Sequence, residues 1–152
     1  RTPIYDAISV GDIKIVNMLI AAGADLSNRD NYSMTPLFYS VLMRNVSMAE
    51  LLIGKHVDFT VTDINGASIL HEAALSGSLE MVSKVLRTGI AVDVLDNDGK
   101  SPLHYAAQAG DISIVRYLLK NGASKGIVDK NNQTAAELAK LNNYTAVAKL
   151  LQ

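Results

Sequence analysis

The sequence predicts an all-α repeat solenoid, in which helix-turn-helix units stack side by side and β-turn or hairpin fingers join them. Similar segments begin 33 residues apart, at Thr2, Thr35, Ser68, Ser101 and Thr134. Two stretches with apolar residues at helical spacing follow each start. A fixed period indicates that the 152 residues form a stack of repeated units and not a globular domain with one central core. We expect a single domain, 1–152, with repeats at about 1–29, 30–62, 63–95, 96–128 and a C-terminal capping repeat at 129–152.

The start of each unit carries the residues of a helix N-terminus. The Thr or Ser at that position has a hydroxyl that can accept a hydrogen bond from an unpaired backbone N–H. Pro3, Pro36 and Pro102 follow directly, at the first helical position, where a missing N–H costs nothing. In the last unit Thr134 and Glu137 have the spacing of a capping box. The sequence therefore predicts that each first helix begins here.

Glycine separates the two helices and ends the second one. The predicted left-handed residues after the first helix are Gly11, Gly77 and Gly110, with Asn143 as a substitute, and those after the second helix are Gly23, Gly89 and Gly122. Each second helix carries an apolar stripe, such as Ile15, Val16, Leu19 and Ile20 in the first unit. We expect these stripes to build a core shared by neighbouring units.

The unit at 96–128 matches the shared pattern most fully and indicates the type of repeat. Its sequence is Asp96-Asn97-Asp98-Gly99-Lys100-Ser101-Pro102-Leu103-His104-Tyr105-Ala106-Ala107. This resembles the ankyrin repeat, whose period and Thr-Pro-Leu-His-x-Ala core are the same. The resemblance implies about five stacked ankyrin repeats. Because the chain opens at Arg1 and its first unit lacks the turn before Thr-Pro, we expect an excerpt of a larger protein.

The second unit departs from the pattern at three places. Ser33, Arg44 and His56 stand where the other units favour glycine. Left-handed geometry at such residues costs roughly 1 to 2 kcal/mol each. Two explanations stay open: drift tolerated within an array, or specialisation of this unit, since Tyr32 and Met34 also occupy its turn.

The composition indicates which classes of partner and which cellular compartment are expected. The formal net charge is −1, with 14 basic and 15 acidic residues, which disfavours nucleic acid as a partner. The chain has no cysteine, which suits a reducing compartment, so we expect it in the cytoplasm or on the cytosolic face of a membrane-attached parent. Apolar runs such as 18–22 are too short to cross a bilayer, so we expect no membrane insertion. We also expect a monomer.

The residues that could act in catalysis or metal binding are better explained by structural roles. His71 and His104 occupy the same position of adjacent units, about 8 to 10 Å apart at helix spacing, and lack a third ligand. We therefore expect them to tie neighbouring turns together by hydrogen bonds, while His56 ends a helix at the surface. The acidic turn at 96–99 does not match a calcium loop, and no phosphate-binding glycine run or Ser-His-acid set is evident. We predict no enzymatic activity, no cofactor and no metal.

The resemblance also implies a concave binding face, formed by the turn tips and the inner ends of the first helices. The residues assigned to it are Asn31, Tyr32, Met34, Leu42, Met43, Ile64, Asn65, Leu75, Ser76, Asn97, Asp98, Lys100 and Gln108. Those of the second unit and the start of the third are mostly apolar, and the later ones are amides and charges. Because Tyr and Met are common in interfaces, this pattern predicts a contact surface.

The leading hypothesis is therefore a protein-protein interaction module that binds a protein or peptide on its concave face. The alternative is a structural scaffold or spacer that positions catalytic or membrane domains of a larger parent. A small-molecule or nucleotide site is less favoured, because the sequence lacks clustered basic residues beside an aromatic platform.

Overall fold

The computed structural model describes residues 2–55 and 57–152, and this part of the chain contains ten α-helices. They are α1 (Pro3–Val10), α2 (Ile13–Ala21), α3 (Pro36–Leu42), α4 (Val46–Ile53), α5 (Ile69–Leu75), α6 (Leu79–Leu86), α7 (Pro102–Ala109), α8 (Ile112–Lys120), α9 (Ala135–Leu141) and α10 (Thr145–Leu151). Each predicted repeat range contains one pair of helices, and we number these pairs as units one to five. The predicted all-helical repeat solenoid is confirmed.

The helices form two layers. The odd-numbered helices, which open the units, pack in the order α1, α3, α5, α7 and α9, while α4, α6, α8 and α10 pack in the second layer. Each first helix also packs against the second helix of its own unit. Neighbours in sequence are thus neighbours in space, as expected for a solenoid.

The helix starts follow the sequence prediction closely. Proline stands at the start of α1, α3 and α7, and the Thr35 side chain accepts a hydrogen bond from the N–H of Phe38 at 3.3 Å. Thr134 and Glu137 form the predicted capping box. Thr2 is the exception, because its buried hydroxyl has no hydrogen-bond partner among the described residues. The capping prediction is therefore confirmed for Thr35, Ser68 and Thr134 and wrong for the Thr2 side chain. The Ser101 hydroxyl instead contacts Nδ1 of His104 at 2.9 Å.

The left-handed turns are also found where glycine predicts them. Unit two keeps this geometry without glycine, since φ is 63° at Ser33 and 55° at Arg44. The equivalent residues of unit three, Gly66 and Gly77, have φ of 77° and 75°. Unit two therefore retains the shared backbone and accepts the strain of non-glycine residues in this region. His56, the third predicted departure, lies outside the described residues.

The core runs continuously through the units, with small residues such as Ala73, Ala74, Ala106 and Ala107 fully buried between first helices. One predicted core residue is not in it: Ile15 is 46% exposed, although Met48 and Ile114 at the same position are fully buried. α2 belongs to the first unit of the stack, and no other unit precedes it among the described residues. The prediction for Ile15 is wrong for that reason.

The far end of the stack is mostly polar. The predicted cap residues Lys140, Asn142, Asn143, Thr145 and Lys149 are all exposed. None of the helices in the described residues combines the length and apolar character needed to cross a membrane.

Candidate functional site

Successive turn tips are joined into one continuous edge. Backbone hydrogen bonds of 2.8 to 3.0 Å run from the N–H of Ile64 to the carbonyl of Tyr32, from Asn97 to Asn65, and from Lys130 to Asp98. The tips also have hairpin character at two places, where isolated bridges pair Thr62 with Ser68 and Val128 with Thr134. Side chains at these tips therefore stand on a fixed backbone.

Each of these turns is closed by an aspartate. In unit three the Asp63 carboxylate accepts hydrogen bonds from the N–H groups of Asn65 and Ala67, both at 2.8 Å. Asp30, Asp96 and Asp129 make the same pair of bonds in their own turns. These carboxylates hold the turns and also leave negative charge along the edge.

The two central histidines link units. The N–H of Ser68 donates to Nδ1 of His71 at 3.0 Å, and Nε2 of His71 donates to the carbonyl of Lys100 at 2.9 Å. His104 repeats the arrangement with Ser101 and with the carbonyl of Gln133, at 3.1 Å for both bonds. Burial lowers the pKa of both imidazoles, so both are neutral at pH 7. The predicted structural role of the two histidines is confirmed.

The same position differs in the first two units. Tyr5 lies there in unit one, and its hydroxyl contacts the carbonyl of Met34 at 2.7 Å. Phe38 lies there in unit two, and a phenyl ring has no group to donate to unit three. Phe38 is instead buried in the shared core, and its ring gives unit three no side-chain hydrogen bond.

Most of the predicted contact residues lie at the surface. Those exposed are Asn31, Tyr32, Leu42, Met43, Ile64, Asn65, Leu75, Asn97, Asp98 and Gln108, while Lys100 is half-buried. Two predictions of surface exposure are wrong. Met34 is 7% exposed because its side chain packs into the core, and Ser76 is 5% exposed because its hydroxyl turns inward to the carbonyl of Ala73 at 2.7 Å.

Units two and three bring together an exposed apolar surface, which we call the apolar shelf. It consists of Tyr32, Leu42, Met43, Ile64 and Leu75. Tyr32 and Ile64 lie on adjacent tips and are 62% and 60% exposed. Leu42 and Leu75 occupy the same position at the ends of α3 and α5, which pack against each other. The shelf therefore runs across two neighbouring units.

Sequence reasoning missed Glu72, a carboxylate beside this shelf. Glu72 lies on α5 three residues before Leu75, a spacing that places both on one side of the helix. It is half-buried, and burial together with repulsion from Asp63 raises the pKa of its carboxyl, while Arg44 opposes the rise. The signal that could have found it is its repeat position, which it shares with Tyr39 and Tyr105.

The neighbouring aromatic residue Tyr105 is fixed in place. Its hydroxyl donates to the Asp96 carboxylate at 2.9 Å, and its ring stands edge-on to His71 with centroids 4.9 Å apart. Burial and the hydrogen bond to Asp96 raise the pKa of the Tyr105 phenol. The residues around Glu72 are thus held in defined positions.

Residues 2–55 and 57–152 give less support to a metal site or a small-molecule site than to a contact surface. No group of three or more His, Cys, Asp or Glu residues in that part of the chain could hold a metal ion. An open cavity of about 320 Å³ lies elsewhere, between the loops of units one and two, with Leu26, Arg29, Lys55 and Val57 in its lining. It shares no residue with the apolar shelf.

Comparison with protein families agrees with the geometry. A family model described as "Ankyrin repeats (3 copies)" matches residues 43–129 and 70–152, and one described as "Ankyrin repeats (many copies)" matches residues 4–53. No curated protein gives a significant match to the chain. Since the two models together cover nearly all of the sequence, and the helices stack as the repeat requires, the chain belongs to the ankyrin-repeat family.

Proposed function

We propose that the chain is a protein-protein interaction module whose binding face consists of the apolar shelf and the polar residues that continue it. Those polar residues are Asn31, Asn65, Asn97, Asp98, Lys100 and Gln108. Ankyrin repeats generally act in protein-protein interaction and are typically not catalytic, which supports this function. The observation that carries the proposal is that exposed apolar side chains lie on adjacent turn tips and on adjacent helix ends of units two and three.

The shelf has the chemistry of an interface centre. Aromatic residues and methionine are enriched in interfaces, and an aromatic anchor at the centre can contribute 2 kcal/mol or more on truncation. Tyr32 supplies an exposed aromatic ring to the shelf. Met43 adds a flexible apolar side chain, and Leu75 adds a branched one. Partner binding would remove this surface from water at a gain of about 25 cal/mol per Å².

The backbone beneath the face is already ordered. The hydrogen bonds between tips and the aspartates that close the turns fix the tips before a partner arrives. A preorganised face loses less conformational entropy on binding than a mobile loop does. The polar residues of unit four then set the orientation of the partner, because wrongly placed polar groups cost affinity when they are desolvated.

The first experiment compares capture of partners by the wild-type chain and by surface variants. Leu75→Ala and Tyr32→Ala each remove an exposed apolar side chain from the shelf, and Met43→Glu adds a charge to it. Leu79→Ala is the matched control, since Leu79 is 41% exposed and Leu75 is 39% exposed, but Leu79 lies at the start of α6. Circular dichroism verifies that all variants keep the helical content of the wild type.

A partner that uses the proposed face binds Leu79→Ala as it binds the wild type and binds Tyr32→Ala at least about thirtyfold more weakly. Equal capture by Tyr32→Ala, Leu75→Ala and Met43→Glu would show that the partner docks elsewhere on the stack. Failure to recover any stoichiometric partner would favour the scaffold or spacer alternative.

A further inference from the structure

We infer that the partner segment carries a lysine or arginine next to its apolar anchor, and that this cation lies against the carboxylate of Glu72 at the edge of the apolar shelf. The inference rests on the proposed function, because it assigns the chemistry of the partner that the same face would bind. It deepens that function by adding a charge requirement to an apolar surface.

Glu72 lies beside the apolar shelf. The residue lies on α5, one turn before Leu75, so the two side chains start about 5 to 6 Å apart at Cβ. Leu75 and Ile64 belong to the same unit and to the shelf. Asp63, the residue before Ile64, is close enough to Glu72 to raise the pKa of its carboxyl. A partner segment that contacts Leu75 and Ile64 therefore comes close to this carboxylate.

The described residues do not neutralise the Glu72 carboxylate through an ion pair. Among the described residues, Glu72 has no side-chain hydrogen bond and no ion pair. More exposed glutamates elsewhere do have a partner, since Lys84 lies 2.8 Å from Glu50 and 3.7 Å from Glu80. Among the described residues, the half-buried carboxylate of Glu72 thus has neither a side-chain hydrogen bond nor a cation at short range.

The charged groups around Glu72 favour a cation at this position. Asp63 repels it, and burial withdraws it from water, so the pKa of the Glu72 carboxyl is raised. Arg44 attracts it from a greater distance without forming an ion pair with it. Farther along the edge, Asp96 and Asp98 add negative charge and Lys100 adds positive charge. An incoming cation relieves the repulsion between Glu72 and Asp63.

The alternatives for this position fit less well. An apolar group placed over Glu72 would bury an unpaired carboxylate, which is strongly unfavourable. An acidic group would add repulsion to that already present from Asp63. A lysine or arginine forms a charge-assisted hydrogen bond that strengthens as water is excluded from the face. The Cβ spacing of Glu72 and Leu75 places the cation within about two residues of the apolar anchor in an extended segment.

The test uses a phage-displayed library of random peptides, selected on the immobilised chain. Selection is repeated on three variants: Glu72→Gln, Leu75→Ala and the control Glu80→Gln, whose residue is an exposed glutamate of α6. We expect peptides selected on the wild type to place Lys or Arg within about two residues of a large apolar residue. Their affinity falls about tenfold on Glu72→Gln and is unchanged on Glu80→Gln.

A double-mutant cycle separates direct pairing from an indirect structural effect. Replacing the basic residue of a selected peptide by Gln should weaken binding to the wild type about tenfold and should not weaken binding to Glu72→Gln further. Peptides that need Leu75 but show no basic preference, and that bind Glu72→Gln as they bind the wild type, would overturn the inference while leaving the proposed function intact. Peptides that do not depend on Leu75, or a library that gives no binder, would count against the proposed function itself.

Discussion

At the scale of single residues, unit two keeps a strained backbone. Ser33 and Arg44 adopt φ of 63° and 55°, a region that costs a residue with a Cβ roughly 1 to 2 kcal/mol. Ser33→Gly is therefore expected to raise the free energy of unfolding by about 1 kcal/mol. Chemical denaturation of the variant and the wild type measures this difference. Arg44→Gly is expected to act in the same direction.

Ser47→Gly is the control for this prediction. Ser47 lies in the right-handed backbone of α4 and is exposed, so glycine there should lower stability by about 0.5 kcal/mol. We therefore expect Ser33→Gly to increase the free energy of unfolding and Ser47→Gly to decrease it. Destabilisation by Ser33→Gly would mean that the left-handed geometry costs unit two nothing.

Glu72 provides a second prediction at this scale. Its carboxyl pKa is raised in the folded chain, so the fold prefers the protonated form and loses stability as pH rises through that pKa. Glu72→Gln should remove this loss and stabilise the free chain at pH 7 by about 0.5 kcal/mol. The gain should vanish below about pH 4, where the carboxyl is protonated in both states.

Thermal unfolding of Glu72→Gln and of the wild type at both pH values measures that difference. Glu80→Gln is again the control, and it should show no such gain, because Glu80 is exposed and near Lys84. Lower stability of Glu72→Gln at pH 7 would mean that the carboxylate has a stabilising partner within the folded chain.

At the scale of the elements, the buried histidines make the junctions between units sensitive to acid. Burial lowers the pKa of His71 and His104, whereas unfolded histidine titrates near 6.5. Their contribution is therefore complete above about pH 6.5 and is lost as pH falls towards the folded pKa values. Each histidine contributes a slope of at most about 1.4 kcal/mol per pH unit.

The variants His71→Phe and His104→Phe test this, because phenylalanine already occupies the equivalent position, Phe38, in unit two. Each should be less stable than the wild type at pH 7 by about 1 to 2 kcal/mol, since a buried hydrogen bond is lost. Between about pH 7.5 and pH 5.5 the difference from the wild type should shrink. A difference that stays constant over this range would show that the histidines do not titrate on unfolding.

The elements also explain which parts of the structure the sequence could predict. The helix starts and left-handed turns depend on local chemistry, so Pro36, Gly77 and the pair Thr134 and Glu137 were sufficient to predict them. Burial depends on neighbours. Met43 and Ser76 occupy the same repeat position, and Met43 is exposed. Ser76 is buried, because its short side chain forms a hydrogen bond with the carbonyl of Ala73 in its own helix.

The same limit applies to the binding face. Tyr32, Leu42, Met43, Ile64 and Leu75 were predicted from their repeat positions, and they are exposed. Glu72 was missed because its significance depends on distances to charged groups of other units, which the order of residues does not give. Its half-burial and lack of an ion pair appear only when the units are stacked.

At the scale of the whole molecule, the stack is an extended support for one face. First helices pack on first helices and the turn tips bond to one another, so residues distant in sequence are held side by side. The units share a continuous core, and stability in such arrays comes from contacts between neighbours. We propose that partners bind across units two and three of this stack.

The most direct test is methyl NMR of the chain with a peptide selected from the display library. Binding should shift the methyl signals of Leu42, Met43, Ile64 and Leu75. The signals of Leu79, Leu95 and Val128, which are exposed elsewhere, should stay in place. Shifts confined to those three residues, or to Leu26 and Val57 at the open cavity, would contradict the claim.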